Sequence, residues 1–219
     1  ISWKTFQAVD ISSKLTGDAK KHNVIISAKV QNNKLHLSTQ GTYANHRLNE
    51  TINTLTIKNN KLKLSNHTPI KVYYHNNNLN IPYNCISNTN NKFCTSIKSN
   101  KEHWASKIDA HHIPLSLLAP ISHSNFTLSH LNTNINMSLQ GDHDTITKLD
   151  ISSKIPKGKI YYVFNWIPYE INFDQITLNA ALKNHQFSVH SKFNLGKEND
   201  ISANITVSHF NQNAFFNKR

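Results

Sequence analysis

At 219 residues the chain is long enough for one large all-β unit or two small ones. Its hydrophobic fraction, 37%, is low for a closed globule and points to a high ratio of surface to core. The formal net charge of +12 is spread singly along the chain, with Lys20-Lys21 the only adjacent lysine pair. That is not the focused basic patch with stacking aromatics that nucleic-acid domains use, so no nucleic-acid partner is expected.

The elements are legible as alternation with a period of two, which only a strand converts into one apolar and one polar face. In chain order, three segments open with an asparagine pair: Asn32-Asn33 before Leu35 and Leu37, Asn59-Asn60 before Leu62 and Leu64, and Asn77-Asn78 before Leu79 and Ile81. Asparagine tolerates positive φ, so each pair suits a tight hairpin turn; the alternative is that asparagine is simply abundant here. The spacing of the three is unequal, which makes a meander of hairpins rather than a strict repeat.

The only two cysteines follow, Cys85 and Cys94. A hairpin of Ile81–Ser87 and Lys92–Ile97 about Thr89-Asn90 sets Cys85 opposite Cys94, Ile86 opposite Phe93 and Ser87 opposite Lys92. Directly opposed residues lie within disulfide range, and a disulfide would imply an oxidising compartment. The alternative is two buried free thiols. Pro114 to Pro120 breaks the period and predicts a short turn or helix fragment.

The cleanest alternation places Leu131, Ile135, Met137 and Leu139 on one face, with Asn132, Asn134, Asn136 and Ser138 on the other. His143, between Asp142 and Asp144 after Gly141, has the chemistry of a turn. Ile160 to Ile171, aromatic-rich and carrying Trp166 and Pro168, predicts a strand near an edge or bulge. Ile176 to Val207 predicts a three-stranded meander, turning at Asn184-His185 and at Gly196–Asp200, with Leu178, Leu182, Phe187, Val189, Ile201 and Ile205 facing inward. These strands make an antiparallel sheet whose apolar face must be covered or used.

Nothing in the chain has catalytic or metal-ligand spacing. His111-His112 are adjacent and would point to opposite faces of a strand, and no nucleophile elbow, phosphate loop or H-E-x-x-H motif is present. A non-enzymatic protein without metal or cofactor is expected. Ile1 begins mid-pattern without a leader and without an initiator Met, which suggests an interior fragment of a longer protein.

One ordered run stands out: Gly41, the strands Ile52–Ile57 and Leu62–Leu64, Thr68-Pro69-Ile70-Lys71-Val72, the pair Cys85 and Cys94, Trp104, the phrase from Ile113 through Pro114 to Leu118, and the strand-end glycine of Leu139-Gln140-Gly141. With this run, residues 41 to about 140 resemble the middle of a TamB-type protein, the inner-membrane-anchored component of the translocation and assembly module in Gram-negative envelopes. Residues 142–219 match in texture only, and glycine is scarcer than in the family.

The resemblance implies an elongated, curled antiparallel sheet folded like a taco shell, continuous over residues 1–219. Its apolar trough would carry phospholipid acyl chains between inner and outer membranes or support outer-membrane protein assembly. It also implies a periplasmic location, an inner-membrane anchor in the parent protein, and an outer-membrane barrel partner of the TamA type met through regions of that parent beyond these residues. Leu35, Leu37, Leu62, Leu64, Leu79, Ile81, Leu131, Ile135, Met137, Leu139, Leu178, Leu182, Phe187, Val189, Ile201 and Ile205 are the candidate lipid-facing positions. The alternative is ordinary core in a secreted or surface adhesin-like β-module.

Overall fold

In the computed structural model the described residues are 10–30, 32–60, 62–115, 126–127, 131–143, 145–164, 166–196 and 199–210. Among them regular structure is all strand, with a lone 3₁₀ position at Leu115. Pairing is antiparallel and nearly always between chain neighbours. This is the all-β sheet of successive hairpins that the alternation predicts. The residues divide into two compact units, Ile1–Trp104 and Ala105–Arg219.

The first unit contains β1 (Asp10–Gly17), β2 (His22–Val30), β3 (Asn33–Ala44) and β4 (Arg47–Lys58). After these come β5 (Lys63–Asn66), β6 (Ile70–His75), β7 (Asn78–Ser87) and β8 (Lys92–Ser99). The short strands β5 and β6 both pair with β4 and β7, β5 with the end of β4 and β6 with its beginning. They are two halves of one strand position, interrupted where Pro69 has no N–H to give. The side chain of Asn66 serves the interruption. Its Oδ1 accepts the Leu55 N–H at 2.6 Å, and its Nδ2 donates to the carbonyls of Asn53 and Thr68 at 3.1 and 3.0 Å. Backbone groups that the break would orphan are thereby satisfied. The Pro-containing strand expected over Thr68–Val72 therefore starts at Ile70, with Pro69 in the gap.

The hairpin turns fall at the asparagine pairs of the sequence, two of them displaced by one residue: Asn33, expected in the β2–β3 turn, is already in β3 and pairs with Val30. The β6–β7 turn is Asn76-Asn77, at φ 46° and 64°, one residue before the expected pair. Asn45-His46 and Asn184-His185 turn in the same left-handed way, the geometry that two-residue hairpins favour. Asn59 closes the β4–β5 turn by accepting the Leu62 N–H on its side chain. The cysteine hairpin has the predicted register, Cys85 with Cys94, Ile86 with Phe93 and Ser87 with Lys92. The disulfide is formed across a Cα–Cα distance of 4.0 Å. In its turn the Asn88 side chain accepts the N–H groups of Asn90 and Asn91.

β9 (His103–Pro114) begins at the end of the first unit and lies mostly in the second. The second unit continues with β10 (Phe126–Thr127), β11 (Asn132–Asp142), β12 (Thr145–Phe164), β13 (Ile167–Lys183), β14 (Gln186–Asn194) and β15 (Asp200–Val207). The predicted meander from Ile176 to Val207 is β13, β14 and β15. The stretch Ile160 to Ile171 is not one strand. It is the tip of a long hairpin, in which β12 and β13 pair from Leu149↔Leu182 out to Phe164↔Ile167, and Trp166, 96% exposed at φ 66°, sits in the turn. Pro168 is tolerated near that tip. The segment predicted to turn between Pro114 and Pro120 lies, after Leu115, outside the described residues.

Each unit has its own core. In the first, Leu64, Ile70 and Ile86 are buried, with Ile52, Leu55, Leu62, Ile81 and Phe93 packed against them. In the second, Leu131, Phe173 and Ile176 are buried among Leu115, Ile155, Ile160, Phe193 and Leu195. The buried parity changes inside this hairpin, from Ile155 and Ile176 to Gly158 and Phe173. Because both strands step together, the pairing register is unchanged. Gly158 makes the step possible: a Cβ there would lie 2.2 Å from Leu131 Cδ2 and 2.9 Å from Phe173 Cζ.

Candidate functional site

Directly paired residues in an antiparallel sheet project to the same side, so the register defines transverse rows. In the second unit one row is Leu139, Leu149, Leu182, Phe187 and Val207. The next is Met137, Ile151, Ala180, Val189 and Ile205. Both are apolar across all five strands. A third row, Ile135, Ser153, Leu178, Ser191 and Ala203, is mixed, and a fourth joins Ile155, Ile176, Phe193 and Ile201. Four strand spacings of ~4.8 Å make each five-strand row about 19 Å long.

Coverage along this face is graded. Leu182 and Ala180 are buried in the middle, Met137, Leu139, Phe187 and Val189 are half-buried, and Ile201 and Ile205 on β15 are 60% and 59% exposed. Phe210 folds back so that its ring centroid lies 5.2 Å from that of Phe187, held by its N–H to the His185 carbonyl. The end of the face at Phe173 and Leu131 is closed. Leu131 lies just before β11, and its carbonyl accepts the Leu115 N–H.

The opposite face is polar. Asn136, Ser152, Asn179, His190 and Asn204 form one of its rows, and Asn134, Lys154, Thr177, Lys192 and Ser202 another. A depression of about 470 Å³ with a mostly apolar lining opens on this side, between Lys107, Asn136, Asp150, Asn179, Ala181 and His190, and Met137, Ile151 and Ala180 also contribute to it. Near it the buried Asp109 pairs with Lys107 at 3.4 Å. At the hairpin tip Lys159 Nζ meets Glu170 Oε1 at 2.6 Å. That hydrogen bond, reinforced by the opposite charge, holds the Glu170 carboxyl below and the Lys159 ammonium above their ordinary values.

The first unit repeats the pattern. Ile11, Ala28, Leu35, Ile57 and Leu64 form an apolar row, Ile26, Leu37 and Leu55 a second that ends in Ser13 on β1, and Leu15, Val24, Ile52 and Ile70 a third that is interrupted by Thr39. Leu62 packs beside Leu64, and Leu79 and Ile81 carry the same face into β7. Leu35 is at the margin of exposure, while Ile11 and Leu15 on β1 are well exposed. Ile86 shares this face and Cys85 points to the other, so the disulfide braces the sheet from behind.

Sequence reasoning missed a polar group on the apolar side. Glu50, in the row of His22, Gly41 and Val72, pairs with His22 Nε2 at 2.9 Å and accepts from the Thr39 hydroxyl. Both side chains are largely covered, at 14% and 16% exposure. Gly41 leaves the room, since a Cβ there would fall 1.8 Å from Glu50 Oε2. The signal available in the sequence was the lone glycine of a strand, which often marks close approach.

Within each unit, an antiparallel meander with one largely apolar face and one polar face defines an all-β sheet protein. The comparisons are specific: the chain belongs to the TamB family, matching the family model described as TamB, N-terminal domain, over residues 1–216. The match extends on both sides of residues 41 to about 140, and it is to the N-terminal domain rather than to the middle of the family's proteins. The family is one of non-enzymatic Gram-negative envelope proteins concerned with lipids and protein assembly, working with an outer-membrane partner. No curated protein and no solved structure matches the chain.

Proposed function

We propose that residues 1–219 form one segment of a hydrophobic trough in the periplasm, along which phospholipid acyl chains pass between inner and outer membranes. The observation that carries this reading is the pair of apolar rows through Leu139 and Met137, uninterrupted across five strands and open at Ile205. Each CH₂ laid on such a surface gains ~0.8 kcal/mol. A series of equivalent rows lets a tail move along the sheet without a deep trap, while headgroups stay in water. Of the sixteen sequence-predicted positions, Leu64, Leu131 and Leu182 are buried core, and the other thirteen are the surface the tails would meet. Support for outer-membrane protein assembly, with an inner-membrane anchor and an outer-membrane barrel partner, is the wider role proposed together with the trough. The closed end around Phe173 favours a second reading, a structural module with a filled interior. Mass spectrometry of lipids retained after gentle purification separates the two: stoichiometric phospholipid supports the trough, and a lipid-free protein supports the filled module.

A further inference from the structure

The last row of the first unit's apolar face is Tyr43, Leu48, Tyr74 and Leu79. Immediately beyond it three turns come together: Asn45-His46, Asn76-Asn77 and the Asn100–His103 turn that carries Lys101. Tyr43, His46, Tyr74, Asn76, Asn77 and Lys101 line a cavity of about 480 Å³ there. Its lining contains one ammonium, one imidazole, two phenols and two amides, and no carboxylate. Tyr74 donates its hydroxyl to Asn77 Oδ1 at 3.0 Å. That bond engages the carbonyl end of Asn77 and leaves its NH₂ as the end available to an acceptor. Glu102, next in sequence to Lys101, has its carboxylate 3.8 Å from His103 Nε2.

Donors and positive charge thus gather where an apolar strip ends, with two half-exposed tyrosines at the boundary. Tyrosine is the residue that tolerates one apolar and one wet side. We propose that this cavity binds the phosphate ester of an amphiphile whose tails lie along the Tyr43, Leu48, Tyr74 and Leu79 row, the row behind it being the one that holds the covered Glu50–His22 pair, with Lys101 supplying the charge-assisted contact. The assignment rests on the trough reading above and adds to it a place where a headgroup stops.

The test is a titration of the 219-residue chain with dihexanoylphosphatidylglycerol, with dihexanoylglycerol lacking the phosphate, and with glycerol phosphate lacking the tails. The wild type should bind the phosphatidyl lipid about tenfold more tightly than the diacylglycerol, equivalent to ~1.4 kcal/mol. Lys101→Gln should abolish that preference, Lys101→Arg should retain it, and added salt should weaken it. Equal binding of the two lipids by the wild type, or an unchanged preference in Lys101→Gln, would overturn the headgroup site and leave the trough standing. Glycerol phosphate binding as tightly as the lipid would assign the cavity to a soluble phosphate ester and overturn the lipid assignment. Binding of none of the three would remove the site and the trough together.

Discussion

Replacing Gly158 by alanine inserts a methyl 2.2 Å from Leu131 Cδ2 and 2.9 Å from Phe173 Cζ. Carbon atoms in ordinary contact sit ~3.5–4.0 Å apart, so Leu131 would have to retreat by more than an ångström and the Phe173 ring by about half of one. Phe173 is 2% exposed and Leu131 6%, which leaves neither a free direction. Overpacking of this kind costs ~1–3 kcal/mol. The stiffer unfolded chain returns ~0.4–1 kcal/mol, and the net expectation is a loss of about 1–2 kcal/mol. Leu131→Ala alone should lose ~2–5 kcal/mol by opening a cavity. In the double variant the new methyl occupies part of that cavity, so its loss should fall short of the sum by about 1 kcal/mol or more. Urea unfolding of the four proteins measures the cycle. A neutral Gly158→Ala, or strict additivity, would refute the account of how the β12–β13 hairpin changes its buried side.

Gly41→Ala should expel Glu50 from His22 and Thr39 and lose about 1–3 kcal/mol; His22 ring signals that do not move in NMR spectra would contradict it. Replacing Cys85 and Cys94 by serine opens a loop of nine residues' separation, for an expected loss of ~2–3 kcal/mol with the hairpin register kept; an unchanged denaturation midpoint would refute the brace. Glu170 should titrate below an ordinary glutamate and move upward in Lys159→Ala, which removes the largest cause of the depression while the Asn172 and Tyr161 hydrogen bonds remain. Because the folded carboxyl is the depressed one, its contribution is present above the unfolded value and fades as pH falls through the folded value. The raised Lys159 contributes below its unfolded value and fades as pH rises through the folded one, so the pair is intact at neutral pH. A Glu170 midpoint unmoved by Lys159→Ala would show that the contact does not persist in solution.

Much of this fold is written as alternation. The cysteine hairpin was legible to the residue because two like residues and a polar turn leave a single register that pairs Ile86 with Phe93. The meander after Ile176 was legible because each strand end is marked by Asn184-His185 or Gly196. Three consecutive asparagines, Asn76 to Asn78, hid the turn's position by one residue, since any adjacent pair of them accepts positive φ. The aromatic run through Trp166 hid a hairpin because both of its arms are strand formers and the turn carries no glycine. The parity change at Gly158 leaves pairing untouched and therefore no mark in the spacing. Of the candidate site, the sequence offered an apolar side for β3, β5, β7, β11, β13, β14 and β15 and no rows, because rows depend on register between strands. The Glu50–His22 pair was hidden because a charged residue in a strand reads as solvent-facing.

The central claim is that one side of the sheet, and not the other, meets lipid tails. Photo-crosslinking from neighbouring positions of β11 tests it directly, since Met137 lies in an apolar row and Ser138 faces the polar side. A photoreactive residue at Met137, and another at Ile205, should capture phospholipid during purification from envelopes, and one at Ser138 should not. Equal capture at 137 and 138, or capture at neither 137 nor 205, would contradict the trough.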